Sequence, residues 1–145
     1  MPDEPLFSIA DERDRFKRQY KHIEKNHKPF GEQVIELLEK DNLDTGKAFS
    51  DITLLNTNIL SRLKNDPYGK FEFQTVVAIC VGLNLDLQKS EQLLASAGLA
   101  FKPLDKIHQA YKYILANMPD TDIDTRNEFL SSLSVEPLGS KMYRK

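Results

Sequence analysis

The sequence predicts an all-α protein. Apolar residues recur at helical spacing along most of the chain, as in Leu60 and Leu63, or Ile107, Tyr111, Ile114 and Leu115. Helix start and stop residues punctuate these stretches: Ser8, Asp44 or Thr45, and Asn56 as N-caps, Pro29 and Pro119 as stops, Gly98 as a C-terminal signal. No hairpin signal such as Asn-Gly, no internal repeat and no low-complexity run interrupts them.

Residues 8–26 read as a first helix, with Ser8 capping it and Asp11 and Glu12 in a first turn that the helix dipole favours. Its apolar stripe of Ile9, Phe16, Tyr20 and Ile23 is thin and interrupted by charges, so the helix is expected to dock by one edge or to fray. Pro29 ends it. Residues 30–41 form a second helix, with Phe30 at its start and Val34, Ile35, Leu37 and Leu38 on one face. Asp44 or Thr45 caps a third, running to about Thr53, and Asn56 caps a fourth, running to about Asn65. Asp66-Pro67-Tyr68-Gly69 is a turn by composition.

Phe71 to Leu83 is the most apolar stretch. Val76, Val77, Ile79, Cys80 and Leu83 span a wide face, which predicts the central buried helix; the β-branched residues also suit a strand, and the length and the placement of Gln74 and Ala78 favour the helix. Leu87 to Ala97 follows, ended by Gly98. Leu104 to Met118 is amphipathic, with Ile107, Tyr111, Ile114 and Leu115 inward, and Thr125 to Ser132 is a short helix capped by Asp124 or Thr125. A tail containing Pro137 and Gly139 closes the chain.

A chain of 145 residues suffices for one domain with a sizeable core. No apolar run approaches the roughly 18 residues needed to span a bilayer, and the acidic start lacks a secretion pattern, so a cytoplasmic location is expected. The single cysteine, Cys80, excludes an internal disulfide or a cysteine zinc cluster and reads as a buried, inert thiol. Net charge is −2, but it is unevenly spread. Residues 13–28 carry seven bases against two acids, and residues 56–70 carry Arg62, Lys64 and Lys70 against Asp66. Residues 1–12 and 29–55 are each acidic. Both basic patches suit either a polyanion or simple solvation.

The stretch Phe49 to Asp66, F-S-D-I-T-L-L-N-T-N-I-L-S-R-L-K-N-D, carries the most information. Phe49 and Ile52 fit the inner face of one helix, and Ser50 is small enough for a second to cross closely. Leu60 and Leu63 fit the inner face of the next. Thr57, Asn58, Ser61 and Arg62 then point outward. From about Phe30 to Leu94 the chain resembles the lambda-repressor-like, Cro-type (XRE-family) helix-turn-helix domain. Leu55 to Asp66 is similar to that family's turn and recognition helix. Gln74 to Leu94, with Gly82-Leu83-Asn84-Leu85-Asp86, resembles its closing helices. The continuation from Ala95 to Pro137-Leu138-Gly139 looks like a bacterial subgroup with a helical C-terminal extension.

The resemblance implies a five-helix core over residues 29–98. A charged N-terminal helical extension (1–28) would precede it, and a C-terminal helical extension (99–145) would pack on the same core. It also implies a sequence-specific transcription regulator on double-stranded DNA, with the fourth helix in the major groove. Asn58 would then pair with adenine and Arg62 with guanine or a phosphate, while Thr57 and Ser61 serve base or phosphate. Asn56 and the amides at the helix start suit a phosphate oxygen. Lys64 and Lys70 would add salt-sensitive attraction, and Lys47 completes the expected contact set.

Three positions depart from the family pattern. Leu54 stands where the family has Gly or Asn, and a positive φ disfavours a bulky side chain there, so an altered turn is expected. Gly46 stands where a phosphate-contacting Gln is frequent. Ile59 occupies a position that usually faces DNA. These departures leave open a second reading: a non-catalytic protein-interaction module, antitoxin-like or a regulatory partner, on the same fold. The basic first helix suits an arm along DNA or a homodimer interface equally well.

Other constellations carry no chemistry. His22, His27 and His108 lack a second ligand at helical spacing. Asp120, Asp122 and Asp124 imitate a calcium loop, but Thr125 replaces its glycine and Ser131 its glutamate, so these acids are expected to cap a helix. No phosphate loop, nucleophile elbow or paired-carboxylate motif occurs, so neither an enzyme nor a cofactor is expected.

Overall fold

The computed structural model describes residues 7–144, which form eight α-helices with no strand among them. Helix α1 (Ile9–Asn26) starts where Ser8 accepts the Asp11 N–H at 3.4 Å. None of its 18 residues is buried, so the expected edge docking does not occur. Pro29, in extended backbone, separates it from α2 (Phe30–Lys40). Val34 and Leu38 of α2 are fully buried, and α2 packs on α4 (Thr57–Asn65) and α6 (Leu87–Ser96).

Helix α5 (Phe73–Gly82) is the centre of the fold. Val76 to Val81 are buried on every side of it, because α3 (Gly46–Thr53), α6, α7 (Lys106–Asn117) and α8 (Ile123–Ser132) all pack around it. Cys80 lies here, fully buried. Burial pushes its thiol up to about 12, so the thiolate is suppressed. Helix α6 ends as expected. Gly98 takes φ +75, and the Leu99 N–H returns to the Leu94 carbonyl at 2.9 Å.

Two expectations are corrected in the C-terminal part. Helix α8 starts at Ile123, with Asp122 accepting the Thr125 N–H at 2.8 Å, so Asp122 is the cap where Asp124 or Thr125 was expected. Starting the helix there brings Ile123 into the core, where it is buried. Helix α7 starts at Lys106, capped by Asp105. Its inner face is Ala110, Tyr111, Ile114 and Leu115, while Ile107 is 41% exposed. His108 takes the inward place instead, its ring stacked on Phe73 at 3.9 Å. The Lys102 N–H donates to its Nδ1 at 3.0 Å, which leaves the ring proton on Nε2.

Two polar devices fix the C-terminal helices to the rest. At one, Arg126 is 1% exposed and donates to Asn84 Oδ1 at 3.1 Å and to the Met118 carbonyl at 2.6 Å. The Asn84 amide also bonds Asp120 in both directions, at 2.8 and 3.1 Å. Burial lowers the pKa of Arg126, and the nearby Asp120 and Asp122 charges oppose that shift. At the other, the Asn127 side chain holds both backbone groups of Leu138, donating to its carbonyl at 3.0 Å and accepting its N–H at 2.8 Å. The tail then reaches Leu54, whose carbonyl accepts the Ser140 N–H at 2.6 Å.

Candidate nucleic-acid interface

Thr45 opens α3 by accepting the Ala48 N–H at 3.2 Å. Phe49 is its fully buried anchor. Ser50, 7% exposed, donates its hydroxyl to the Leu55 carbonyl at 2.7 Å, so its small size and its hydrogen bond together hold the turn. Thr53 is buried as well, donating to the Phe49 carbonyl at 2.7 Å and accepting the Leu55 N–H at 3.2 Å.

Leu54 closes α3 in the left-handed conformation, φ 57° and ψ 28°. The turn is therefore the one a glycine would make, and the altered turn expected from a leucine does not occur. Left-handed backbone costs a non-glycine residue about 1–2 kcal/mol. Leu54 is 3% exposed, and Gly139 is seated against it: a Cβ on Gly139 would fall 2.5 Å from the Leu54 Cβ and 2.7 Å from its carbonyl oxygen. A bulky residue stands in the turn because the C-terminal tail covers it.

Asn56 then caps α4, accepting the Asn58 N–H at 2.8 Å. Leu60 and Leu63 face the core, and Thr57, Asn58, Ser61, Arg62 and Lys64 are exposed. The start of α4 lies against the start of α3: a Cβ on Gly46 would come 3.0 Å from the Thr57 methyl. Gly46 therefore permits two helix N-termini to open side by side. The first N–H groups of a helix lack intrahelical partners and carry its positive end, so this corner suits an anion.

The basic residues Lys47, Arg62, Lys64 and Lys70 are all exposed, each with different surroundings. Arg62 is exposed, yet its Nη2 donates to the Lys70 carbonyl at 2.5 Å and its guanidinium sits 4.4 Å from the Phe71 ring centre. It braces the 66–71 loop, which presents the 83%-exposed Tyr68. Lys64 donates to the Asp44 carbonyl at 3.2 Å. Lys47 pairs with Asp51 at 3.2 Å, both side chains mostly exposed, a contact that adds little and is readily exchanged. Lys70 is exposed, with no ion pair among the described residues. Ile59 is half-buried and packs against the core. Carboxylates adjoin the far end of α4, where Glu32, Glu36 and Glu39 line a shallow groove with Leu63 and Lys64.

Sequence reasoning missed Tyr68, the Arg62 brace and the Gly139–Leu54 contact. The last two join residues distant in sequence or acting through backbone atoms, which leave no local pattern. Among the described residues no group of acidic, His and Cys side chains is arranged to hold a metal, and no helix is long and apolar enough to cross a membrane. Comparison with protein-family models, with curated proteins and with solved structures finds no match.

Proposed function

We propose that the chain is a sequence-specific DNA-binding regulator in which α3, the Leu54 turn and α4 act as a helix-turn-helix. The observation that carries this reading is the corner where α3 and α4 begin. Two helix N-termini lie in contact through Gly46 and Thr57, and the exposed polar row of Thr57, Asn58 and Ser61 continues from it. Such a corner seats a phosphate, and the row beside it presents donors and acceptors of the kind that read base edges.

The roles within the site differ from residue to residue. Asn58 offers an amide with no side-chain partner among the described residues, suited to an adenine edge. Thr57 and Ser61 flank it. Arg62 acts through the loop it braces, and Lys70 on that loop supplies a phosphate contact, with Lys47 and Lys64 adding attraction. Selection from a random duplex pool tests the reading. The unmodified chain enriches a defined motif, and Asn58→Ala changes the preferred base at one position while leaving the rest. Enrichment of no motif would remove the sequence-specific claim.

A second reading has its own support. Arg62 and Lys64 each donate to a backbone carbonyl of this chain, and three glutamates adjoin the far end of α4. That balance suits a protein partner on the same face. A chain that enriches no duplex but retains a partner lost on Asn58→Ala or Ser61→Ala supports this second reading over the first.

A further inference from the structure

The C-terminal segment is fastened at two points with a glycine between them. At the first, Leu138 is fully buried and the Asn127 side chain holds both of its backbone groups. Gly139 follows at φ +93, a link that turns freely for want of a side chain. At the second, the Ser140 N–H donates to the Leu54 carbonyl at 2.6 Å. The Tyr143 and Arg144 N–H groups then turn back onto the Ser140 carbonyl at 2.9 and 3.0 Å. Arg144 Nη1 closes the segment by donating to Glu136 at 2.9 Å and to the Pro137 carbonyl at 3.0 Å. Its outer side is open, with Lys141 exposed and Met142 79% exposed.

We propose that residues 139–144 are a latch on the α3–α4 turn. Seated, the latch keeps Leu54 left-handed. Lifted about Leu138, it lets Leu54 leave that conformation and α4 shift against α3. The seated state holds a leucine in backbone that favours glycine, so the turn is strained toward release. The hold beyond Leu138 is light. It consists of one backbone hydrogen bond, the Gly139 contact, the partly buried Tyr143 and an ion pair whose Glu136 side chain is exposed. Each such contact is modest on its own. Leu138 stays in the core when the latch lifts, so the helical body is not unfolded. The change reaches α4 through Leu55. Its carbonyl accepts from Ser50 at 2.7 Å and its N–H donates to Thr53 at 3.2 Å, and both bonds set where α4 begins. A new φ at Leu54 turns the adjoining peptide and breaks them. An event at the C-terminal end is thereby felt at α4.

Gly139→Val lifts the latch in the full chain. A Cβ there would fall 2.5–2.7 Å from Leu54, while Asn127 still holds Leu138. Carbon chemical shifts report the turn: those of Leu54 are expected to leave the left-handed range, with α2 and α5 keeping theirs. Urea unfolding supplies a second readout. Leu54→Gly lowers the midpoint of the parent chain, where packing under Gly139 is lost. In Gly139→Val the same change raises the midpoint by about 0.5 M, because strain is all that is left to lose. A Leu54 that stays left-handed in folded Gly139→Val overturns the latch. So does a Leu54→Gly effect of the same sign in both backgrounds. Should Gly139→Val not fold, Asn127→Ala frees Leu138 instead and is judged by the same two readouts. All are measured on the free chain, so they stand apart from whether α4 reads DNA.

Discussion

Leu54→Gly gives a sharp test of how the turn before α4 is held, because two effects of opposite sign act on one residue. Glycine adopts φ 57° freely, so the substitution relieves about 1–2 kcal/mol of left-handed strain. Against this, Leu54 is 3% exposed and packed under Gly139, and truncating a buried leucine costs about 2–5 kcal/mol. The packing loss matches or exceeds the relief across these ranges, and the variant is expected to be less stable by up to roughly 4 kcal/mol. In a chain of 145 residues that lowers the melting temperature by up to about 13 °C. Urea unfolding followed by far-ultraviolet circular dichroism measures it directly, with a lower midpoint at an unchanged slope. A midpoint that rises would mean that strain outweighs packing and that the tail does not hold the turn.

Gly139→Ala attacks the same contact from the other side. The new Cβ would meet Leu54 backbone and Cβ at 2.5–2.7 Å in a residue at φ +93, so a loss of about 2–4 kcal/mol is expected in the same urea assay. Asn127→Ala leaves the buried Leu138 N–H and carbonyl unpaired and is expected to cost about 2–4 kcal/mol; a loss below about 0.5 kcal/mol would show that water replaces the amide. Cys80 is expected to react with a thiol reagent only at the rate of unfolding, and reaction at the rate of an exposed thiol would contradict its place in α5. Alkali should destabilise the fold. Burial holds Cys80 and Tyr111, the latter helped by Glu136, up to about 12, so the unfolded chain releases these protons first. Their contribution is complete below the unfolded values of 9.0 and 10.0 and is lost as pH rises through about 12; a urea midpoint constant from pH 8 to pH 11.5 would contradict this.

Much of the architecture was legible because its signals are local. Ser8 and Asn56 cap the helices they were expected to cap, Thr45 is the one of the two expected candidates that caps α3, and Gly98 ends α6, since a cap needs only three or four neighbouring residues. The wholly apolar Val76 to Val81 run marked the buried centre, and these residues are buried in α5. What escaped depends on distant partners. Leu54 tolerates positive φ through a tail 85 residues away, Arg62 is turned by a carbonyl on the next loop, and Ile107 yields its inward place to His108 because Phe73 lies beside it. The outward row on α4 was legible as a row; the commitment of its basic neighbours to backbone carbonyls was not. For α1 the stripe was visible, whereas its lack of any buried residue appears only in three dimensions.

The central claim is that the start of α4 binds duplex DNA, with lysines 47, 64 and 70 elsewhere on α3, α4 and the following loop adding attraction. Titration of a labelled mixed-sequence duplex by fluorescence anisotropy at two salt concentrations tests it most directly. Three lysine–phosphate contacts predict that affinity falls by about 40-fold for a fourfold rise in salt. Absence of binding at the lower salt, or binding indifferent to salt, would contradict the claim.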